Sequence, residues 1–337
     1  MQSQRRFLRP VYIFIAFVVL AGILFVIAEL DQIVLAIQKA DWRAIPGALF
    51  FTVISYISMS ISFAMVCRLF IRRVSLRALA EIGYVTNVLN HIVTSGGVAG
   101  ISLRLILMGK HGVPARDTIA STMMHFYIAS IDMMIMLPVG LIYLLLHAQV
   151  APVIAFLLKV TTLVLILLTI LATFIIFNHR LRRSVLKVTS NLVMKLTRRD
   201  MRSTFNQFDK SMKRGIILMR RRPGWVTVAV ILTMVDWIAS VMVLSYCLDA
   251  FGPHQPFGTV MTGYVLGISI GLLSMIPGGI GVQESSMTFV FHLLGVAIGQ
   301  AILASILFRG IFFILPYLVS LLLYRPLLQS DQPSTST

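Results

Sequence analysis

Side chains able to do chemistry are scarce in this chain, and they gather beside paired glycines. Arg104 follows the run Ser95-Gly96-Gly97-Val98-Ala99-Gly100, while Glu284 and Arg309 follow Pro277-Gly278-Gly279-Ile280-Gly281. Asn87, Asn90 and His91 precede the first glycine pair, and His125 lies beyond it. Asp132 and Asp236 stand alone inside long apolar runs. A guanidinium presents a planar fork of donors that matches phosphate or carboxylate. Backbone N–H groups left free where a helix restarts after Gly96-Gly97 or Gly278-Gly279 suit the same anions. Arg104 therefore reads as a headgroup ligand or as a cation reaching back to the interface. Arg309 reads as a headgroup ligand or as the partner of a carboxylate. Glu284 is read as a helix cap, the partner of Arg309, or a carrier of a coupling proton. Asp132 and Asp236 are coupling candidates or interhelical bonds, Asn90 lines a polar cavity, and His125 joins the site or is a hydrogen-bonded core residue.

Other chemistries lack their spacing. There is no Ser–His–Asp arrangement, zinc motif, phosphate-cradling P-loop or GxGxxG, so no metal or cofactor is expected and ATP drive is unsupported. The two cysteines, Cys67 and Cys247, sit in or at the ends of apolar runs and read as small apolar fillers at opposite faces.

The elements that must hold these residues are read from composition. Of 337 residues, 58% are hydrophobic and 12% charged, about half the charge of a soluble domain. The formal net charge is +17, but it is confined to short stretches between apolar runs, which argues for membrane topology rather than nucleic-acid binding. Six segments have the length and apolarity of a span: Pro10–Ala28, Pro46–Ile71, Asp117–Leu146, Pro152–Phe177, Trp225–Asp249 and Ala301–Tyr324. Gly83–Met108 and Phe257–Gly299 are apolar but broken near their middles by the glycine runs. A break at membrane depth is tolerated only where protein or a water-filled cavity surrounds it. Both are expected to be re-entrant hairpins of two half-helices.

Orientation follows from Lys and Arg. With the N-terminus inside, 24 of the 29 basic residues are cytoplasmic, 14 of them between Asn178 and Pro223. That loop repeats apolar residues at helical spacing, Leu181, Val185, Val188 and Leu192, then Phe205, Phe208, Met212 and Ile216. Two amphipathic helices on the cytoplasmic surface, near anionic lipid headgroups, are expected over 178–223. The chain thus reads as an all-α polytopic protein with one integral domain over 1–325 and a disordered cytoplasmic tail over 326–337. It is expected in the cytoplasmic (inner) membrane with both termini inside.

The two broken hairpins repeat. Gly96-Gly97 is followed by Gly112-Val113, Ala120-Ser121 and His125; Gly278-Gly279 is followed by Gly295-Val296, Ala304-Ser305 and Arg309. Each unit is span, hairpin, span, over 46–146 and 225–324, and the topology inverts one against the other. Inverted repeats with glycine-broken segments at matching positions point to a transporter site between them. In this register His125 corresponds to Arg309.

The run Pro277-Gly-Gly-Ile-Gly-Val-Gln-Glu284 with Leu294-Gly295-Val296, Ala304 and Arg309 resembles the flippase-like transmembrane region of lysylphosphatidylglycerol synthases. Ser95-Gly-Gly-Val-Ala-Gly100 with Arg104 and Gly112-Val113 resembles the first motif of that family. The resemblance covers roughly residues 10–325 and implies lipid translocation. The full synthases carry a large soluble aminoacyl-transfer domain; only a short tail follows the last span here, so lipid aminoacylation by this chain is not expected. The leading reading is a flippase or transporter for an anionic or zwitterionic lipid or lipid-linked amphiphile. The alternatives are a non-catalytic membrane partner of an aminoacyl- or glycosyltransferase, and an intramembrane lipid enzyme using Asp132, Glu284 or His125 as acid or base.

Overall fold

The computed structural model describes residues 38–71, 73–92, 98–148, 151–197, 202–274 and 276–329. The expected first span, Pro10–Ala28, and the first glycine pair, Gly96 and Gly97, lie outside the described residues. The helices, in chain order, are α1 (Ile45–Phe70), α2 (Leu76–Ile92), α3 (Val98–Lys110), α4 (Ala115–His147), α5 (Pro152–Phe177), α6 (His179–Thr197) and α7 (Arg202–Arg221). There follow α8 (Pro223–Asp249), α9 (Phe257–Leu273), α10 (Val282–Leu293), α11 (Ile298–Arg309) and α12 (Leu315–Gln329), with a π-helical turn over Gly310–Ile314. Five stretches are long and apolar enough to cross a membrane: Trp42–Phe70, Ala115–His147, Pro152–Ile175, Pro223–Asp249 and Ile298–Leu322. They correspond to five of the six expected spans, and this is a multi-pass membrane protein. The last helix runs through Pro326 to Gln329, so the expected tail over 326–337 begins as helix; residues 330–337 lie outside the described ones.

α1 and α8 form the axis of the bundle and run antiparallel. Asp41 N–H donates to Ala250 O at 2.8 Å at one end, and Ser62 Oγ donates to Ala229 O at 2.9 Å toward the other. Between them the Ser55 hydroxyl donates to the Asp236 carboxylate. Lipid offers helices no hydrophobic reason to associate, so small and hydroxyl-bearing residues make such an interface. Thr52, Ser55, Ser58 and Ser62 are all buried along α1.

Each end of this axis seats one helical hairpin. α2 and α3 pack with the C-terminal half of α1, in a core that includes Phe63, Phe70, Leu79, Leu107 and Val113. α9 and α10 pack with the C-terminal half of α8, in a core that includes Leu244, Leu248, Val265, Met287 and Phe291. Because α1 and α8 are antiparallel, the hairpins lie at opposite ends of the bundle. The chain also leaves and rejoins the second hairpin at one end: Gln300 Nε2 at the start of α11 donates to Leu248 O and Pro253 O, at 2.9 and 3.0 Å. Each hairpin leans on the other half's last helix. Tyr84 of α2 donates to Pro316 O of α12 at 2.9 Å, and Thr262 of α9 faces Gly140 of α4.

The ends of α3 and α10 match at the level of single hydrogen bonds. Gly112 and Gly295 end α3 and α10 with φ of 69° and 85°. Val113 N–H reaches back to Met108 O at 3.1 Å, and Val296 N–H to Phe291 O at 3.0 Å. This is the six-residue closure of a left-handed helix C-cap. Pro114 and Ala297 then open α4 and α11 with nearly the same backbone angles, φ −59° in both and ψ 139° and 135°. α4 and α11 are unbroken α-helix from these caps as far as His147 and Arg309, so the 183-residue offset between Gly112 and Gly295 carries along them. It sets Phe308, not Arg309, opposite His125, which corrects the pairing read from the sequence by one residue.

The second hairpin closes on three glycines four residues apart. Gly263, Gly267 and Gly271 of α9 meet Phe291, Met287 and Gln283 of α10 in turn. A Cβ on Gly263 would stand inside the Phe291 ring, which is fully buried. Gly263→Ala is expected to cost about 1–3 kcal/mol through overpacking. Thermal unfolding in detergent checks this, and trimming the ring in Gly263→Ala/Phe291→Leu should recover part of the loss.

Candidate functional site

The sequence places Arg309 and Glu284 near each other in role, and the structure joins them. Arg309 Nε is paired with Glu284 Oε1. Its Nη1 donates to Gly278 O at 2.8 Å, and its Nη2 faces Gln283 Oε1 at 3.4 Å. The other oxygen of Glu284 accepts the Gly281 N–H at 2.8 Å. Gly278, Gly279 and Gly281 hold φ of 66°, 60° and 81°, a turn that L side chains rarely adopt. The last guanidinium face stands 5.1 Å from the Phe313 ring centroid. The fork of Arg309 is therefore spent on the turn and on Glu284. It works as a latch that ties the tip of the second hairpin to α11.

Arg104 is placed differently. It is 4% exposed, its Nε donates to Thr86 Oγ1 at 2.9 Å, and its guanidinium lies 4.1 Å over the Phe63 ring. Among the described residues no carboxylate is paired with it. His125 stands edge-on to the same Phe63 ring, 5.3 Å between centroids, within electrostatic reach of Arg104. Buried His125 Nε2 and Thr122 Oγ1 make no hydrogen bond. A buried charge without an ionic partner is costly, and unpaired buried polar atoms are rare. The 183-residue offset makes the choice of arginine at this position plain. Met287, 183 residues on from Arg104, packs on Gly267 across the second hairpin where Arg104 packs on Thr86 across the first, Thr86 and Gly267 being 181 residues apart. Methionine fills the position in one half; the other half has a cation.

The remaining candidates fall around these two centres. Asn90 Oδ1 accepts the Gly100 N–H at 2.9 Å, clasping the two helices of the first hairpin, and His91 lies among Tyr56, Phe312 and Phe313. Asn90 is thus a clasp, and Asn87 is only half-buried. Asp132 and Asp236 lie apart from both arginines, on α4 and α8. Thr86, Phe63 and Thr122 were not singled out from the sequence. Thr86 carries a usable signal, since it sits one turn before Asn90 on the same helix.

The expected amphipathic pair is present as α6 and α7. Arg182 Nε is bonded to Asp209 at 2.8 Å between them, and Arg214 Nη1 to Asp117 of α4 at 2.6 Å. Met212 and Gly215 turn inward, Gly215 against Met124 and Phe70. The outward face forms a shallow cavity of about 350 Å³ lined by Lys210, Lys213, Arg214, Ile217, Leu218 and Arg221.

Comparison with known proteins agrees with this architecture. The sequence matches the family described as the lysylphosphatidylglycerol synthase TM region over residues 13–320. A stretch of 93 residues, 28% of this chain, is 28% identical to the phosphatidylglycerol lysyltransferase of Staphylococcus aureus strain COL. The same extent and identity hold for the proteins of that name from Staphylococcus aureus strain MRSA252 and Staphylococcus epidermidis. The matched stretch spans 11% of the length of each of these relatives.

Proposed function

This chain belongs to the lysylphosphatidylglycerol synthase TM-region family, and from that premise we propose that it is a lipid translocase that takes a phosphate-bearing headgroup at Arg104. The observation that carries the reading is a buried guanidinium with no carboxylate partner among the described residues, beside the unbonded polar atoms of His125 and Thr122. An arriving phosphate supplies what that cluster lacks: negative charge for the fork of Arg104 and acceptor oxygens for its neighbours. The antiparallel α1/α8 axis supports an inverted repeat, with one re-entrant hairpin at each face of the cytoplasmic membrane. The positive-inside count puts the first hairpin on the cytoplasmic side. There the cationic face of α7 attracts anionic headgroups toward it. The named relatives are phosphatidylglycerol lysyltransferases, so phosphatidylglycerol and lipids with a like headgroup are the first candidates.

The test is leaflet exchange in proteoliposomes of the full chain, with labelled phosphatidylglycerol, phosphatidylcholine and diacylglycerol. Label in the inner leaflet should become accessible to an impermeant quencher for the two phosphate-bearing lipids and not for diacylglycerol. If all three lipids remain as protected as in protein-free vesicles, the translocase reading fails. Weight would then move to a partner of a separate lipid-modifying enzyme.

A further inference from the structure

Two acidic side chains serve neither the latch nor the anion site. Asp132, midway along α4, is 2% exposed, and neither of its carboxylate oxygens has a hydrogen-bond partner. Its polar neighbour on α8 is Thr233, whose hydroxyl is already given to Val230 O at 2.8 Å. One turn further along α8 comes Asp236, within electrostatic reach of Asp132. Asp236 accepts the Ser55 hydroxyl of α1. Ser240, which is 3.3 Å from Ser55 Oγ, donates to the main-chain carbonyl of Asp236.

Among the described residues, the groups that face this pair bring no positive charge. Tyr56 of α1 and Tyr264 of α9 face Asp236, and the Tyr56 hydroxyl is spent on Phe312 O at 2.8 Å. Arg104 of α3 faces His125 and Cys67 instead. Tyr127 of α4 faces Thr173 of α5. Lys159 of α5 is exposed, and Arg214 of α7 is held by Asp117 at the end of α4. Two carboxylates at membrane depth, with the Ser55 hydroxyl given to one of them and no cation beside them among the described residues, strongly resist ionising together. That setting favours a proton held at one of the two, with their titrations linked.

We propose that Asp132 and Asp236 form a proton-binding site at the α4–α8 contact, and that loading and unloading this proton couples a proton gradient to lipid movement. α4 is the element that links the parts. It carries His125 two turns before Asp132, and it packs against the second hairpin through Gly140 and Tyr143. A proton leaving the pair puts two negative charges across the α4–α8 contact, which drives those helices apart. A proton arriving lets them close. The coupling rests on the translocase reading; the proton site does not.

Two measurements on the reconstituted full chain separate these. The first is infrared difference spectroscopy in light and heavy water. Wild type should show a protonated carboxylic-acid band at neutral pH, and that band should be lost in Asp132→Asn or Asp236→Asn. Asparagine mimics the neutral acid, so these variants should melt close to wild type. The second is the leaflet distribution of labelled phosphatidylglycerol under an imposed pH gradient. One pH unit should skew the distribution by up to about tenfold if one proton moves with each lipid. The skew should vanish in Asp236→Asn. Lipid exchange without the carboxylic-acid band overturns the proton site and leaves the translocase standing. A band without exchange sinks the translocase and leaves the proton site. Exchange with a band but indifferent to the gradient overturns the coupling.

Discussion

Arg104→Met should abolish exchange of phosphate-bearing lipids while leaving the protein as stable as wild type or more so. The two halves of that expectation have separate causes. Among the described residues Arg104 pairs with no carboxylate, and its Nε donates to Thr86. Methionine fills the equivalent position in the second hairpin. Replacing a buried charge by an apolar residue of similar volume is commonly neutral or stabilising by about 1–4 kcal/mol. Charge-assisted hydrogen bonds to a headgroup phosphate are each worth about 1.5–3 kcal/mol, so losing two of them should slow exchange by roughly 100-fold or more. Arg104→Lys keeps the charge and loses the fork, and should fall between. Exchange rates and melting temperatures from one preparation check both halves. A variant that unfolds would assign Arg104 a structural role, and a stable variant with undiminished exchange would remove it from the path.

The second large effect is at the latch, where the opposite result is expected. Arg309→Met leaves Glu284 without its cation, and Glu284→Gln leaves Arg309 without its anion. Breaking a buried pair on one side costs about 3–5 kcal/mol. With each side chain 16% exposed, the lower end applies. The double variant should be much less destabilised than the sum of the two singles, because it leaves no uncompensated charge. Glutamine can still accept the Gly281 N–H, so the turn survives in Glu284→Gln and the effect reports the ion pair. Additive losses across the cycle would mean that the two side chains act independently.

These two arginines show where reading the sequence stops. Five of the spans and the two glycine-broken apolar stretches are legible because each is local, an apolar run of sufficient length or a glycine break within one; that Gly112 and Gly295 cap helices is not, because it depends on their backbone angles. Counting Lys and Arg leads to the expectation that the two units are inverted, but the packing of α1 on α8 is not legible, because it depends on hydroxyls meeting across the interface. The roles of the arginines were not legible, because they depend on which groups lie across the hairpins. Both arginines follow a glycine pair, yet one meets Glu284 and the Gly278 carbonyl while the other meets Thr86 and a phenyl ring. His125 was matched to Arg309 because the sequence spacing from Gly295 to Ala304 is one longer than from Gly112 to Ala120. An unbroken helix cannot absorb that residue, and the caps decide the register. The clasp role of Asn90 likewise depends on Gly100 standing opposite it.

The central claim, that a headgroup path runs between two hairpins set at opposite membrane faces, is tested most directly by side-specific thiol labelling. Cys67 and Cys247 are buried and free, and both would first be replaced by alanine. Single cysteines would then be placed at Gly109, which ends the first hairpin with open space around it, and at the exposed Ala297, which follows the second. In sealed vesicles of known orientation, an impermeant maleimide should reach Gly109→Cys only from the cytoplasmic face and Ala297→Cys only from the opposite face. Labelling of both from one face would contradict the inverted arrangement and with it the proposed path.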